Sequence, residues 1–188
     1  MRLLWTGTDA LMMIDISKRK LRKKPFWMVM RLVIKFLDWV HLEGHLTNAP
    51  WIKEELQRFG LKKPIEIMMT PLKHTEYYPK KKHDGMNVLY YKPPRADPRW
   101  RDWLYGIDLI NRLEEEYRGI VNFIVVDQTQ DMAKVFPITD LYIRPNRHDG
   151  HSRLIRECDI QKIPYYWTHK DPDYNQLKAK VDKYINLC

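Results

Sequence analysis

The segment Arg144–Glu157 (RPNRHDGHSRLIRE) gathers arginines, histidines and acids around one glycine, residue types suited to gripping and transferring phosphorylated groups. Arg144, Arg147 and Arg153 bring forked donors that match phosphate oxygens. Gly150 leads into a helix expected to begin near Ser152, and a helix start offers N–H groups and a positive dipole end to an anion. His148 has the chemistry of a general acid or base, and Asp149 stands next to it. Glu157 follows Asp149 by eight residues, one acid before the helix and the other two turns into it, so both are expected to look into one cleft. Together these residues read as a seat for a diphosphate. The alternative is a well-capped surface helix whose arginines are only solvated. A metal reading is weaker, because His148, Asp149 and His151 crowd across one turn with no fourth ligand in sequence.

Something must hold that segment, and hydrophobic periodicity supplies it: short β runs alternate with longer helical runs, the pattern of parallel βαβ units. Strands are expected at Arg2–Thr6, His45–Thr47, Ile65–Met69, Asn87–Tyr91, Val121–Val126, Leu141–Ile143 and Pro164–Trp167. Helices are expected at Phe26–Val40, Pro50–Phe59, Trp103–Tyr117, Thr129–Phe136, Ser152–Gln161 and Pro172–Asn186. The fold class is therefore α/β, Rossmann-like, with parallel strands and flanking helices. Arg144 and its neighbours fall at the carboxyl end of a strand, where open α/β sheets bind ligands. The polar, basic stretch Lys73–Gly85 divides the chain into a reduced part, 1–72, a linker, 73–86, and a regular Rossmann-like domain, 87–188.

The chain has 188 residues, 44% of them hydrophobic and 30% charged, enough for a real core and unlike a disordered chain. Its formal charge of +9 favours polyanions: nucleic acid, an anionic membrane face or a phosphorylated substrate. Nucleic acid is the weaker of these, since no recognition helix, zinc finger or stacking sheet is visible. Cys158 and Cys188 are too few for a disulfide framework, and Met1–Ile14 lacks the pattern of a secretory signal, so a reducing, cytoplasmic setting is expected.

The run Asp149–Pro164 (DGHSRLIRECDIQKIP) resembles the donor-site signature of GT-B glycosyltransferases of the glycogen-synthase and bacterial mannosyltransferase kind: an acid, a glycine, a seven-residue gap to a second acid, then a turn and proline before a strand. Asp149 stands where that family usually has Glu, and Lys162–Ile163–Pro164 replaces its Gly-Lys-Pro. Trp5–Leu11 (WTGTDAL), His45–Gly60, Met69–Tyr78 and Val88–Asp127 resemble, in order, further units of such enzymes. The resemblance implies hexosyl transfer from a nucleoside-diphosphate sugar to an acceptor, with retention and without a metal or other cofactor. It implies that Glu157 binds the ribose hydroxyls, that Asp149 lies beside the donor sugar, and that the Gly150, His151 and Ser152 backbone holds the diphosphate. The family's Arg and Lys clamp has no counterpart, since Tyr105 precedes Gly106; Lys92, Arg95, Arg99 or Arg144 would have to compensate. Most of the family's amino-terminal domain is absent, so a partner or a homodimer neighbour is one expectation. A non-catalytic module that keeps the nucleotide site is the competing one.

A second candidate lies at Lys18–Val40, where six of the seven residues Lys18–Lys24 are basic and an aromatic-rich helix follows. Arg31, Lys35 and Asp38 share one stripe; Phe26, Trp27, Met30, Val33, Phe36, Leu37 and Trp39 cover the rest. Such a helix reads either as an anchor on anionic lipid or as a core helix that packs on a sheet or on a second copy.

Overall fold

A computed structural model describes residues 1–5, 24–92, 102–127 and 129–186. The chain forms two compact units, Met1–Pro71 with Asp149–His151, and Leu72–His148 with Ser152–Cys188. It is an α/β protein with parallel sheets flanked by helices, compatible with a Rossmann-like fold. Most of the basic run, 18–23, most of WTGTDAL, and Arg95, Arg99 and Cys188 lie outside the described residues.

The first unit runs β1 (Arg2–Trp5), α1 (Lys24–Val40), β2 (Gly44–Thr47), α2 (Pro50–Phe59) and β3 (Ile65–Ile67). Its three strands are parallel in the order β1-β2-β3, with His45 of β2 paired to Leu3 and Ile65. The α2 helix begins on Pro50, whose fixed φ suits a first helical turn. It ends at Gly60, which takes φ +92° and returns its N–H to the last carbonyls, a conformation that disfavours any side chain. Trp5, Ile34, Ile52, Leu56, Phe59 and Ile65 form the core.

That core encloses a polar centre. Asp38 accepts the N–H groups of Lys62 (2.7 Å) and Lys63 (3.1 Å) and lies 2.8 Å from His45 Nε2. Trp5 Nε1, which can only donate, lies 3.1 Å from His45 Nδ1. Nδ1 therefore accepts, and the proton sits on Nε2, facing Asp38. Burial alone would raise the Asp38 carboxyl, but the Lys62 amide, the His45 ring and the Lys63 amide outweigh it and hold the group below its ordinary range.

The second unit runs β4 (Met86–Tyr91), α3 (Ile107–Glu116), β5 (Val121–Val126), α4 (Met132–Val135), a 3-10 turn (Phe136–Ile138), β6 (Leu141–Pro145), α5 (Arg153–Gln161), β7 (Tyr165–Thr168) and α6 (Tyr174–Ile185). All four strands are parallel, in the order β5-β4-β6-β7. Successive residues of β4 and β6 are buried on both faces, as central parallel strands require. On one face Val88, Tyr90, Leu141 and Ile143 pack with Ile110 and Leu113 of α3 and with Leu177 and Val181 of α6. On the other, Leu89 and Tyr142 pack with Phe136, Ile155 and Cys158. Burial pushes the Cys158 thiol well above its ordinary range, so it is a core group and not a nucleophile.

The expected runs coincide with these elements apart from their ends. The helix expected at Thr129–Phe136 is shorter because Asp131 caps α4 through the Ala133 N–H, and Pro137, which has no N–H, turns the chain into a 3-10 turn. Two acids of α3 have partners: Tyr90 donates its hydroxyl to Glu114 (3.0 Å), and Tyr174 and Lys178 of α6 bond Glu116.

Candidate functional site

The chain passes from β4 outward to β5 and then returns across β4 to β6, so the strand order reverses between β4 and β6. Helices leave the sheet to opposite sides at such a reversal, and the gap outside the carboxyl ends is where open α/β sheets bind ligands. Here β4 ends in Tyr91, followed by Lys92, and β6 ends in Arg144 and Pro145, followed by Asn146, Arg147 and His148.

Arg144 is buried, and its guanidinium carbon lies 5.5 Å from the Tyr91 ring centre and 5.4 Å from that of Tyr105. These rings meet edge to face, so the cation is held against aromatic faces at the sheet edge. Arg147 forks onto Asp108 in the first turn of α3, Nη1 to Oδ1 and Nη2 to Oδ2 at 2.7 Å each, and Nη1 also reaches the Trp103 carbonyl at 2.6 Å. The arginine holds the Asp108 carboxyl below its ordinary range against a smaller effect of burial. Gly106 makes this approach possible. With φ +62°, it brings the start of α3 so near β6 that a Cβ would lie 2.2 Å from the Pro145 carbonyl oxygen.

Asn146 is 1% exposed, and its backbone is satisfied by the Arg144 carbonyl and the Thr168 hydroxyl. Its side-chain Oδ1 is buried without a hydrogen-bond partner among the described residues. Buried acceptors are seldom left so, and this one lies at the carboxyl edge of the central strand β6. His148 is buried, with its backbone bridged to Lys170. The Lys92 amide donates to the Val126 carbonyl, which keeps its Cα at the end of β4.

Ser152 is the N-cap of α5 with extended backbone and makes no side-chain cap bond. Arg153 follows with its side chain part exposed and its Nε 3.6 Å from Glu157 Oε1. Glu157 is 2% exposed and accepts, through Oε1, the N–H groups of Lys73 (2.9 Å) and His74 (3.3 Å). One turn on, Gln161 accepts the Tyr78 N–H (2.8 Å) and donates to the Glu76 carbonyl (2.6 Å). Glu157 and Gln161 thus lace the irregular segment after Leu72 to α5, a task for Glu157 that the sequence reading did not assign.

Asp149, Gly150 and His151 belong to the first unit, whereas Glu157 belongs to the second. Trp51 Nε1 donates to the Asp149 carbonyl (2.7 Å), and the Trp51 ring stacks on His151 at 5.9 Å between centres. Gly150 lies against Asn48: a Cβ there would meet Asn48 Oδ1 at 2.5 Å, so a larger residue would require the Asn48 side chain to move.

Sequence reasoning missed Asp108, Gly106, Tyr91, Tyr105 and Asn146. The cue for Gly106 was available, as a lone glycine at the foot of an apolar helix. Nothing in the sequence marked Asp108 as the partner of an arginine thirty-nine positions away.

The fold is that of an α/β protein whose four-stranded parallel sheet reverses strand order between β4 and β6. Compared with known protein families and with curated proteins, the chain matches no family model and no curated protein.

Proposed function

We propose that the chain is a glycosyltransferase of the GT-B kind, which moves a hexosyl unit from a nucleoside-diphosphate sugar to an acceptor. What carries the reading is a coincidence within the second unit: α5, the helix through which the family's donor signature runs, follows the strand whose carboxyl edge stands at the reversal between β4 and β6 and leads into the buried Asn146 Oδ1, which has no partner among the described residues. In this reading the first turn of α5 and the half-exposed Arg153 bind the diphosphate, and Asn146 accepts a donor hydrogen from the ligand. Arg144 and Arg147 act differently from the phosphate donors the sequence led us to expect. Arg147 is spent on Asp108 and fixes the strand edge to α3, and Arg144 lends positive potential from behind two tyrosines.

Glu157 takes the ribose role through Oε2 while Oε1 keeps the linker amides. As the glycosidic bond to the diphosphate breaks, negative charge grows on the departing oxygen, and the helix dipole and Arg153 oppose it most strongly there. His148, in the same unit, is the group proposed for the sugar end. The involvement of Glu157 in holding the chain's own segment favours one other reading, a module that binds the nucleotide and transfers nothing.

Calorimetry with uridine, guanosine and adenosine diphosphates tests the proposal. At least one should bind, and Arg153→Ala should weaken it roughly 10-fold to 100-fold, the worth of a charge-assisted bond. Glu157→Gln keeps an acceptor for the linker amides, yet should erase the preference for the ribonucleotide over its 2′-deoxy form. Binding by none of the three, or an unchanged ribose preference in Glu157→Gln, would sink this assignment. Sugar release from the matching donor separates the transferase from the module.

A further inference from the structure

We propose that the outer face of α1 docks on an anionic lipid bilayer, lying flat in the headgroup layer with its apolar side chains in the hydrocarbon. The orientation of the helix points to this. An ordinary surface helix turns its apolar stripe to the core. α1 does this only in part: Ile34 is buried with Trp27 and Met30 packed beside it, the same inner side takes Asp38, 2% exposed, and Arg31 lies over the Phe59 ring at 5.0 Å, yet a second apolar face is left over. The face left to solvent carries Phe26, Val29, Leu32, Val33, Phe36 and Trp39, with Leu32 69% and Trp39 73% exposed. Arg31 and Asp38 are thus occupied inside the unit, and the outward stripe is apolar over several turns.

A contiguous apolar face of that length is an interaction surface. Charge selects the occupant. The residues leading into the helix, Lys18-Arg19-Lys20-Leu21-Arg22-Lys23-Lys24, contain no acid, and neither does the exposed stripe. A second copy of this face would bring apolar area but nothing to answer the basic run. An anionic bilayer supplies both hydrocarbon and phosphate. Trp39, at the far end of the helix, is of the type that settles at the membrane–water boundary. Among the described residues no helix is long and apolar enough to cross a membrane, so α1 lies on the surface.

The test is co-sedimentation of the full chain with vesicles of phosphatidylcholine alone and of phosphatidylcholine mixed with phosphatidylglycerol. Binding should be at least roughly tenfold tighter to the mixed vesicles and should fall as salt rises. Leu32→Glu with Phe36→Glu, both at exposed positions, should abolish binding with the circular dichroism spectrum unchanged. Lys20→Gln with Lys23→Gln should weaken it roughly tenfold or more. Equal binding to both vesicles, no binding to either, or full binding by the double-glutamate chain would overturn the proposal. So would a lipid-free dimer, seen by sedimentation velocity and dissolved by the same two glutamates, because it would give the face to a second copy.

Discussion

In the second unit α3 turns Ile107, Ile110 and Leu113 into the core and leaves Asn111 and Glu115 in water, whereas in the first unit α1 turns Asp38 inward and leaves Leu32 and Trp39 outside. Both helices are amphipathic, and both stripes run at helical spacing. The floor under each differs. Beneath α3 lie Val88, Leu141 and Ile143, wholly apolar. Beneath α1, Trp5, Ile52 and Phe59 meet Ile34, and beside them the His45 ring and the N–H groups of Lys62 and Lys63 bond the Asp38 carboxylate. Buried donors cost free energy unless an acceptor reaches them, and that requirement, together with the burial of Ile34, sets which side of α1 faces in. Periodicity fixes which residues share a face; the partner surface decides which face is buried.

Truncation at matched positions is the strongest way to break this contrast. Leu113→Ala empties a site that is 0% exposed and should cost about 2–5 kcal/mol, whereas Leu32→Ala should stay within about 0.5 kcal/mol. Thermal denaturation would read the first as a fall of several degrees and the second as almost none. An equal cost at Leu32 would mean that its face is covered in solution.

A step smaller is Asp38→Asn, which keeps the shape but removes the charge and half the accepting capacity from three donors. A loss of about 1–3 kcal/mol is expected. Acid titration sharpens the point. The Asp38 carboxyl is held below its ordinary value of 3.8, so its contribution is fully present above that value and is lost as pH falls below it, where the unfolded chain takes up the proton first. Denaturant midpoints measured down that range should fall more steeply for the parent than for Asp38→Asn. Parallel curves would remove Asp38 from the account of why α1 faces as it does.

How much of this was legible follows the same physics. The strands were readable because Val121–Val126, polar only at Asn122, and Leu141–Ile143 are β-branched and apolar runs, and Pro50 and Gly60 mark both ends of α2. The carboxyl-edge position of Arg144 was readable from the order of strand and turn. What Arg147 and Glu157 bond was not, because both partners are distant in sequence: Asp108 in one case, and the amides of Lys73 and His74 in the other. A local reading assigns a charged side chain to solvent or ligand by default. Only the fold shows that a backbone amide or a carboxylate has already reached it. The inward turn of Asp38 was hidden for the same reason, since its partners come from β2 and the turn before β3.

The smallest expected effect concerns the second unit's counterpart to Asp38. Asp108 also sits below its ordinary range, but the bond from Arg147 is the largest cause, and the carboxylate is half exposed. An exposed pair gains little over its hydrated parts, even with a bidentate fork, so Asp108→Asn should cost less than about 1 kcal/mol. The two carboxylates should part company in salt. Near 1 M, where the screening length is about 3 Å, the cost of Asp108→Asn should shrink toward zero while that of Asp38→Asn persists. The same substitution releases the Arg147 fork at the β6 edge. If that edge is an anion seat, Asp108→Asn should bind nucleoside diphosphates at least as tightly as the parent while folding slightly less well. A drop in both would mean that Arg147 serves the site only by holding α3 to β6, and that its charge never reaches a ligand.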